Sequence, residues 1–178
     1  MANIFSGIGP CSLNWENKTG GTALGKTLGE VKVKMTQNFA EIKNDQDGAG
    51  PVDGIITGLA VEVVTPLSEA TVAILAEILA SATLTALTGQ AGKFSALGGV
   101  GTQMYANAAP LILVRYVDGI ESTDQDDHME FLKAYPVIDA ELAFGPEGQR
   151  VVNVTWKCFP SQATGDVGVY FRVGDPSS

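Results

Sequence analysis

The sequence predicts an α+β domain that is mainly antiparallel β, and three observations carry this. Glycine is abundant, at 21 of 178 residues, which together with short β-branched runs implies many turns and therefore many strands. The C-terminal third alternates apolar and polar residues with period two. Only one stretch, near residues 66–80, repeats with the period of an amphipathic helix.

The strands come first. "CSLNWE" (11–16) and "EVKVKMT" (30–36) alternate, with Val31, Val33 and Met35 on one face and Lys32 and Lys34 on the other. "NKTGGTALGKTLG" between them is turn material, and "IITGLAVEVV" (55–64) is a longer strand. In "TPLSEATVAILAEILA" the period changes. Thr65 suits a helix N-cap and Pro66 the first helical position, where its missing N–H costs nothing. Leu67, Ala70, Ile74 and Ile78 then form an apolar stripe, widened by Leu75 and Leu79.

Residues 80–109 are Ala, Gly, Thr and Ser with a single charge, Lys93, and read as a functional loop or a contact surface. "PLILVRYV" (110–117) is apolar on both faces except for Arg115, so its own chain or a neighbouring subunit covers both sides. Leu111, Ile112, Leu113 and Val114 are on this basis expected to form a subunit-contact strand. "PVIDAELAF", "RVVNVTWKCF" and "VGVYFRV" read as antiparallel strands buried on one side. In the first, Asp139 and Glu141 oppose Ile138, Ala140, Leu142 and Phe144; in the last, Val167, Val169, Phe171 and Val173 share the buried face.

Composition bounds the function. One domain is expected from the length. The net charge of −9, with 11 scattered basic residues, argues against a protein that neutralises phosphates. "MANIFSGIGP" lacks the pattern of a signal peptide, and Glu77 interrupts the most apolar run, so no membrane span is read. Cys11 and Cys158 are expected to be reduced and buried rather than bridged.

No chemical motif holds together. In "IKNDQDGAGPVDG" (42–54), Asp45, Asp47 and Gly50 match part of a calcium loop, with Asp53 a further acid. However, Ala49 and Ile56 stand where two ligands should be, one of them bidentate. "STDQDDHMEF" (122–131) could offer Asp124, His128 and Glu130 to a transition metal; the simpler reading is a turn or short helix start capped by Ser122 or Thr123. "GGTALGKT" matches the phosphate-loop spacing at Gly20, Gly25, Lys26 and Thr27, but strands flank it on both sides where a helix should follow. With His128 the sole histidine and no G-x-S-x-G elbow, no hydrolase arrangement survives. No cofactor and no enzymatic activity are expected.

The order of several segments carries a resemblance. "GPCSLNW", "LGKTLGEVKVK", "IKNDQDGAGPVDGIITGLAVEV" and "PLSE", followed by "AAPLILVRY", "FLKAYPV" and "GVYFRVGDP", resemble the major tail tube proteins of long-tailed (siphophage-like) bacteriophages across nearly the whole chain. Residues 80–109 depart most from that pattern. The resemblance implies a β-sandwich or split-barrel subunit with one flanking helix, a single tail tube domain over residues 1–178 with short terminal arms. It further implies hexameric rings, stacked into a tube that conducts the viral genome without binding it specifically. A long inter-strand loop at about 37–54 would reach the adjacent ring, with Asn44, Asp45, Gln46, Asp47, Gly48, Pro51, Val52 and Asp53 as contact residues. On the unburied face of a closed barrel, Asp139 and Glu141 would face the lumen, where they would repel DNA, or else the exterior as surface carboxylates. Other tail proteins (tape measure, terminator, baseplate or tip) would be partners. The location would be the virion tail, after assembly in the host cytoplasm. A tail-completion or neck protein and a type VI-like secretion tube subunit are the alternatives, the secretion tube sharing the architecture. A sugar-binding or enzymatic β-sandwich is a further one, which a monomer with a measurable small ligand would support.

Overall fold

The computed structural model describes residues 11–15, 22–24, 27–43, 50–68, 71, 74–75, 78, 82–85, 93–96, 101–138 and 151–174. They form a mainly antiparallel β structure with very little helix. The strands are β1 (Cys11–Trp15), β2 (Thr22–Ala23), β3 (Lys32–Lys43), β4 (Pro51–Leu67), β5 (Ala82–Thr85), β6 (Lys93–Ala96), β7 (Ala109–Val117), β8 (Ile120–Glu121), β9 (His128–Ile138), β10 (Val152–Cys158) and β11 (Phe171–Val173). The main sheet runs β2-β1-β7-β9-β10-β4-β3, with β8 on β7 and β11 on β9, while β5 and β6 pair separately.

This sheet cannot be flat. The Leu24 N–H donates to the Leu13 carbonyl on β1, and the Leu28 N–H donates to the Pro66 carbonyl on β4, each at 3.0 Å. Four residues of chain span at most ~14 Å. With strands ~4.8 Å apart, a flat sheet would hold those two residues ~29 Å apart. The sheet therefore curls until β1 and β4 approach, with Leu24 and Leu28 on either side of the seam. Apolar side chains fill the inside: Leu13, Val63, Leu67, Leu111, Phe131, Val152, Val154 and Trp156 are fully buried. Trp15 and Trp156, three strands apart along the sheet, meet with ring centroids 5.4 Å apart.

Alternation explains β10, whose burial switches at each residue from Val152 to Cys158. Burying both faces explains β7, where Leu111, Ile112, Leu113 and Val114 are all buried. One polar contact is built into this interior. Trp156 Nε1 donates to Thr65 Oγ1 at 3.0 Å, and that hydroxyl donates on to the Val154 carbonyl at 3.4 Å.

Thr65 is thus a core strand residue and not a helix cap. The expected helix start at Pro66 is corrected: β4 continues through Leu67, in register with Val152 on β10. Proline is tolerated there because the N–H and C=O of a strand residue point the same way. The Pro66 carbonyl faces Leu28, away from β10, so the absent N–H removes no β4–β10 bond. Helical residues appear later, at Ile74, Leu75 and Ile78. Thr71 begins that turn: its Oγ1 accepts the Ile74 N–H at 3.2 Å and its carbonyl accepts the Leu75 N–H at 2.9 Å. Ile74 and Ile78 are buried in the core, as the stripe predicts.

Two further expectations change. Within 80–109, β5 and β6 form a hairpin in register from Ala82 opposite Ala96 to Thr85 opposite Lys93. In "VGVYFRV" only Phe171–Val173 is strand, and Val167 is 75% exposed. β11 instead resumes the line of β10 along β9. The intervening loop is pinched shut where the Ser161 N–H donates to the Val169 carbonyl and the Gly168 N–H to the Ser161 carbonyl. Arg172 pairs with Asp166 across it. Alternation was misleading here because a closed loop, not a strand, supplies the spacing.

Candidate functional site

The feature that the core does not account for is the β3–β4 ribbon. β10 covers β4 only from Val61 to Leu67, yet β4 begins at Pro51. Among the described residues, the ten from Pro51 to Ala60 therefore pair only with β3. At ~3.4 Å per residue they project ~34 Å beyond the last β10 contact. Residues 37–43 and 51–54, expected as loop, are strand, and the connection narrows to residues 44–50.

The register assigns each side chain to a face. Val33, Met35, Gln37 and Phe39 lie opposite Val63, Val61, Leu59 and Ile56. Lys32, Lys34, Thr36 and Asn38 lie opposite Val64, Glu62, Ala60 and Gly58. Irregularities between Asn38 and Phe39 and between Ile42 and Lys43 each place an extra residue, Thr57 and Val52, in β4. Phe39 is 66% exposed, Ile56 64%, Ile55 58% and Met35 53%. Large apolar groups so concentrated on a projecting two-stranded ribbon make it the candidate contact surface, since such a ribbon alone is at best marginally stable in water.

The base of the ribbon is held by polar contacts. Lys157 on β10 pairs with Glu62 on β4. This hydrogen bond holds the Glu62 carboxyl below the usual carboxylate range, against a weaker upward push from burial, and Lys34 adds attraction. Nearer the tip, Lys43 pairs with Glu41 at 3.1 Å. Asp53, one of the expected contact residues, accepts the Gly54 N–H at 2.7 Å within β4. Pro51, Val52 and Asp53 are exposed at the start of β4. Asn44, Asp45, Gln46, Asp47 and Gly48 lie outside the described residues.

The expected subunit-contact strand is corrected. Leu111, Ile112, Leu113 and Val114 are each no more than 8% exposed in the single chain. Both edges of β7 are also taken, by β1 and β9. The chain itself supplies the cover, and no side-chain surface there remains for a neighbour. Asp139 and Glu141 lie outside the described residues.

The candidate metal residues have other roles. Gln125–Asp127 forms one 3-10 turn. Ser122 Oγ accepts the Asp124 N–H at 3.2 Å and donates to Asp127 at 2.7 Å. Asp127 pairs with Arg115 at 3.3 Å, and His128 Nε2 lies 3.2 Å from the Ser122 carbonyl. Glu130 is buried on β9 in register with Ile112. Among the described residues no group of three or more His, Cys, Asp or Glu could hold a metal ion. Of the phosphate-loop residues, only Thr27 is described, and it bridges to Leu67. Cys158 is buried, which pushes its thiol up to about 12, and Cys11 is raised by burial as well; both are free thiols. No helix among the described residues is long and apolar enough to cross a membrane.

Sequence reasoning expected a contact loop at about 37–54 and did not single out the exposed apolar residues of the ribbon, Met35, Phe39, Ile55 and Ile56. One signal was available. Ile55 and Ile56 are adjacent, so on any strand one of them must face away from the other, and both are far from the core-forming part of β4.

Comparison with known protein families and with curated proteins finds no match to this chain. The functional reading therefore rests on the ribbon and the sequence pattern.

Proposed function

We propose that this chain is a structural subunit that assembles into stacked rings, forming the tail tube of a long-tailed bacteriophage. The split-barrel tail-tube architecture, with the β3–β4 ribbon as the arm that reaches a neighbouring copy, accounts for a sheet that outruns its own core. The observation that carries the reading is this ribbon: ~34 Å of paired backbone with Phe39 and Ile56 about two-thirds exposed. Among the described residues its two backbone edges also have no strand partner, β3 along its outer side and β4 from Pro51 to Ala60. Open edges template pairing with other chains unless a structure shields them. An assembly subunit uses them.

The charge fits the same role. A net −9 chain does not grip phosphate, so a genome could slide past it. The hexameric ring, the virion tail as location and the other tail proteins as partners follow from the resemblance in the order of sequence segments. The protein acts as a conduit and performs no chemistry.

Negative-stain microscopy of the purified, concentrated protein tests this. Rings and tubes with a central channel are expected. Particles without a channel, or discrete small species at every concentration, would overturn the proposal.

A further inference from the structure

We infer that Asp53–Gly54 is a self-modification site: the Gly54 amide nitrogen closes on the Asp53 side-chain carboxyl to give a succinimide, which water opens to isoaspartate. This is independent of the assembly reading, since it needs only one folded chain.

Contact comes first. The reaction joins a backbone nitrogen to Cγ of the residue before it, so the two must meet on the same side of the Cα–C bond. At Asp53 they do: Oδ1 accepts the Gly54 N–H at 2.7 Å. Glycine presents no Cβ to hinder the ring, and both residues are exposed to the water that opens it.

The backbone also has freedom to turn. Ring closure needs rotation about the Cα–C bond, out of the extended conformation. Asp53 follows the extra residue Val52, and among the described residues this part of β4 pairs only with β3. A strand held on one side and broken by an irregularity opens locally at small cost.

The chain carries its own contrast. Val-Asp-Gly-Ile stands at residues 52–55 and again at 117–120. There Asp118 lies at φ 53 and Gly119 at φ 81, in the tight turn between β7 and β8. In the left-handed conformation ψ is about +47°, which sets the next nitrogen nearly opposite Cβ and away from the carboxyl. Asp118 must break its turn before it can react, whereas Asp53 already touches the nitrogen it needs.

The step requires no oxidant and no partner. With the carboxyl carrying a proton taken from water, a bond forms between Gly54 N and Asp53 Cγ. The Cγ–OH bond breaks, and the hydroxyl leaves with the N–H proton as water. A second water then adds to either carbonyl of the ring. Addition at Cγ restores aspartate; addition at the Asp53 backbone carbonyl leaves the chain running through Cγ. That product has one more backbone carbon between the Ile42–Asp53 and Glu41–Gly54 pairs. The ribbon tip then loses its register while the core is untouched.

Peptide mapping of aged protein tests this. The full chain is incubated folded and, in parallel, unfolded in guanidinium chloride. Isoaspartate at 53 and 118 is located by fragmentation within the backbone, with Asp47–Gly48, outside the described residues, scored separately. In denaturant the two identical tetrapeptides should age alike; in the folded chain site 53 should lead site 118. Gly54→Ala fits the strand, since its Cβ would meet only Ala40 O at 3.7 Å and Phe39 Cδ2 at 4.0 Å. It should slow the product at 53 and leave 118 unchanged, and Asp53→Glu should abolish it. A folded ratio of 53 to 118 at or below the denatured ratio would overturn the inference, as would undiminished product at 53 in Gly54→Ala. Neither result bears on the tube reading, which microscopy tests by itself.

Discussion

Excising the ribbon should separate folding from assembly. Asn38 and Gly58 are opposite one another, so residues 39–57 can be replaced by Asn-Gly, which favours the tight turn that joins two such strands. The core loses little. Val61, Val63, Thr65 and Leu67 keep their places against β10, and the deleted Phe39, Ile55 and Ile56 are 66%, 58% and 64% exposed. Stability should therefore change by less than about 1 kcal/mol, the usual range for surface changes away from special features. Assembly should change far more. Full burial of a large apolar side chain contributes about 1.5–3 kcal/mol. Phe39 and Ile56, which share one face and are each about two-thirds uncovered, amount to roughly 3 kcal/mol per subunit when docked, or about a hundredfold in the concentration needed for assembly. Thermal unfolding followed by tryptophan emission and pelleting across a dilution series would measure the two effects. Pelleting at the parent's concentration would refute the docking role; a collapse in melting temperature would show that the ribbon belongs to the core.

Three other outcomes follow from named contacts. Thr65→Val keeps the shape but leaves the buried Trp156 Nε1 without the acceptor it now has at 3.0 Å; a loss of about 1–3 kcal/mol is expected, read as a lower urea midpoint at unchanged slope, with Thr65→Ser recovering most of it. Because Lys157 holds Glu62 below its usual range, the pair stabilises the fold above the unfolded carboxylate pKa, and this contribution is lost as pH falls through the lowered folded value. Glu62→Gln should thus cost up to about 1 kcal/mol at neutral pH, given partial exposure, and almost nothing in strong acid, as urea titrations at the two pH values would show. Asp118 and Gly119, at φ 53 and 81, form the two-residue turn between β7 and β8; Gly119→Val should destabilise by about 1–2 kcal/mol, whereas Asp118→Asn should be nearly neutral by thermal melting.

Legibility in the sequence followed the local physics. β10 was readable because alternating burial needs only its own residues, Val152 to Cys158. The two buried faces of β7 were readable as a continuous apolar run, but not the source of their cover, which depends on the sheet's topology. The helix start was misplaced because Thr-Pro is equally good at a helix entrance and on a strand whose proline faces away from its partner; only the Leu28 contact with Pro66 decides. Val167 was misassigned because a loop closed at Ser161 mimics strand spacing. The ribbon was half legible. The sequence marks a long connection at about 37–54 but reads it as loop where residues 37–43 and 51–54 are strand, and which residues stand opposite one another depends on the bulge at Thr57, a one-residue shift of register that leaves no trace in composition.

Sedimentation velocity of the intact chain over a wide concentration range tests the central claim most directly. The account predicts a concentration-dependent shift from single chains to ring-sized and then much larger species, with Phe39→Asp remaining as single chains throughout. A monomer at every concentration, in parent and variant alike, would contradict it.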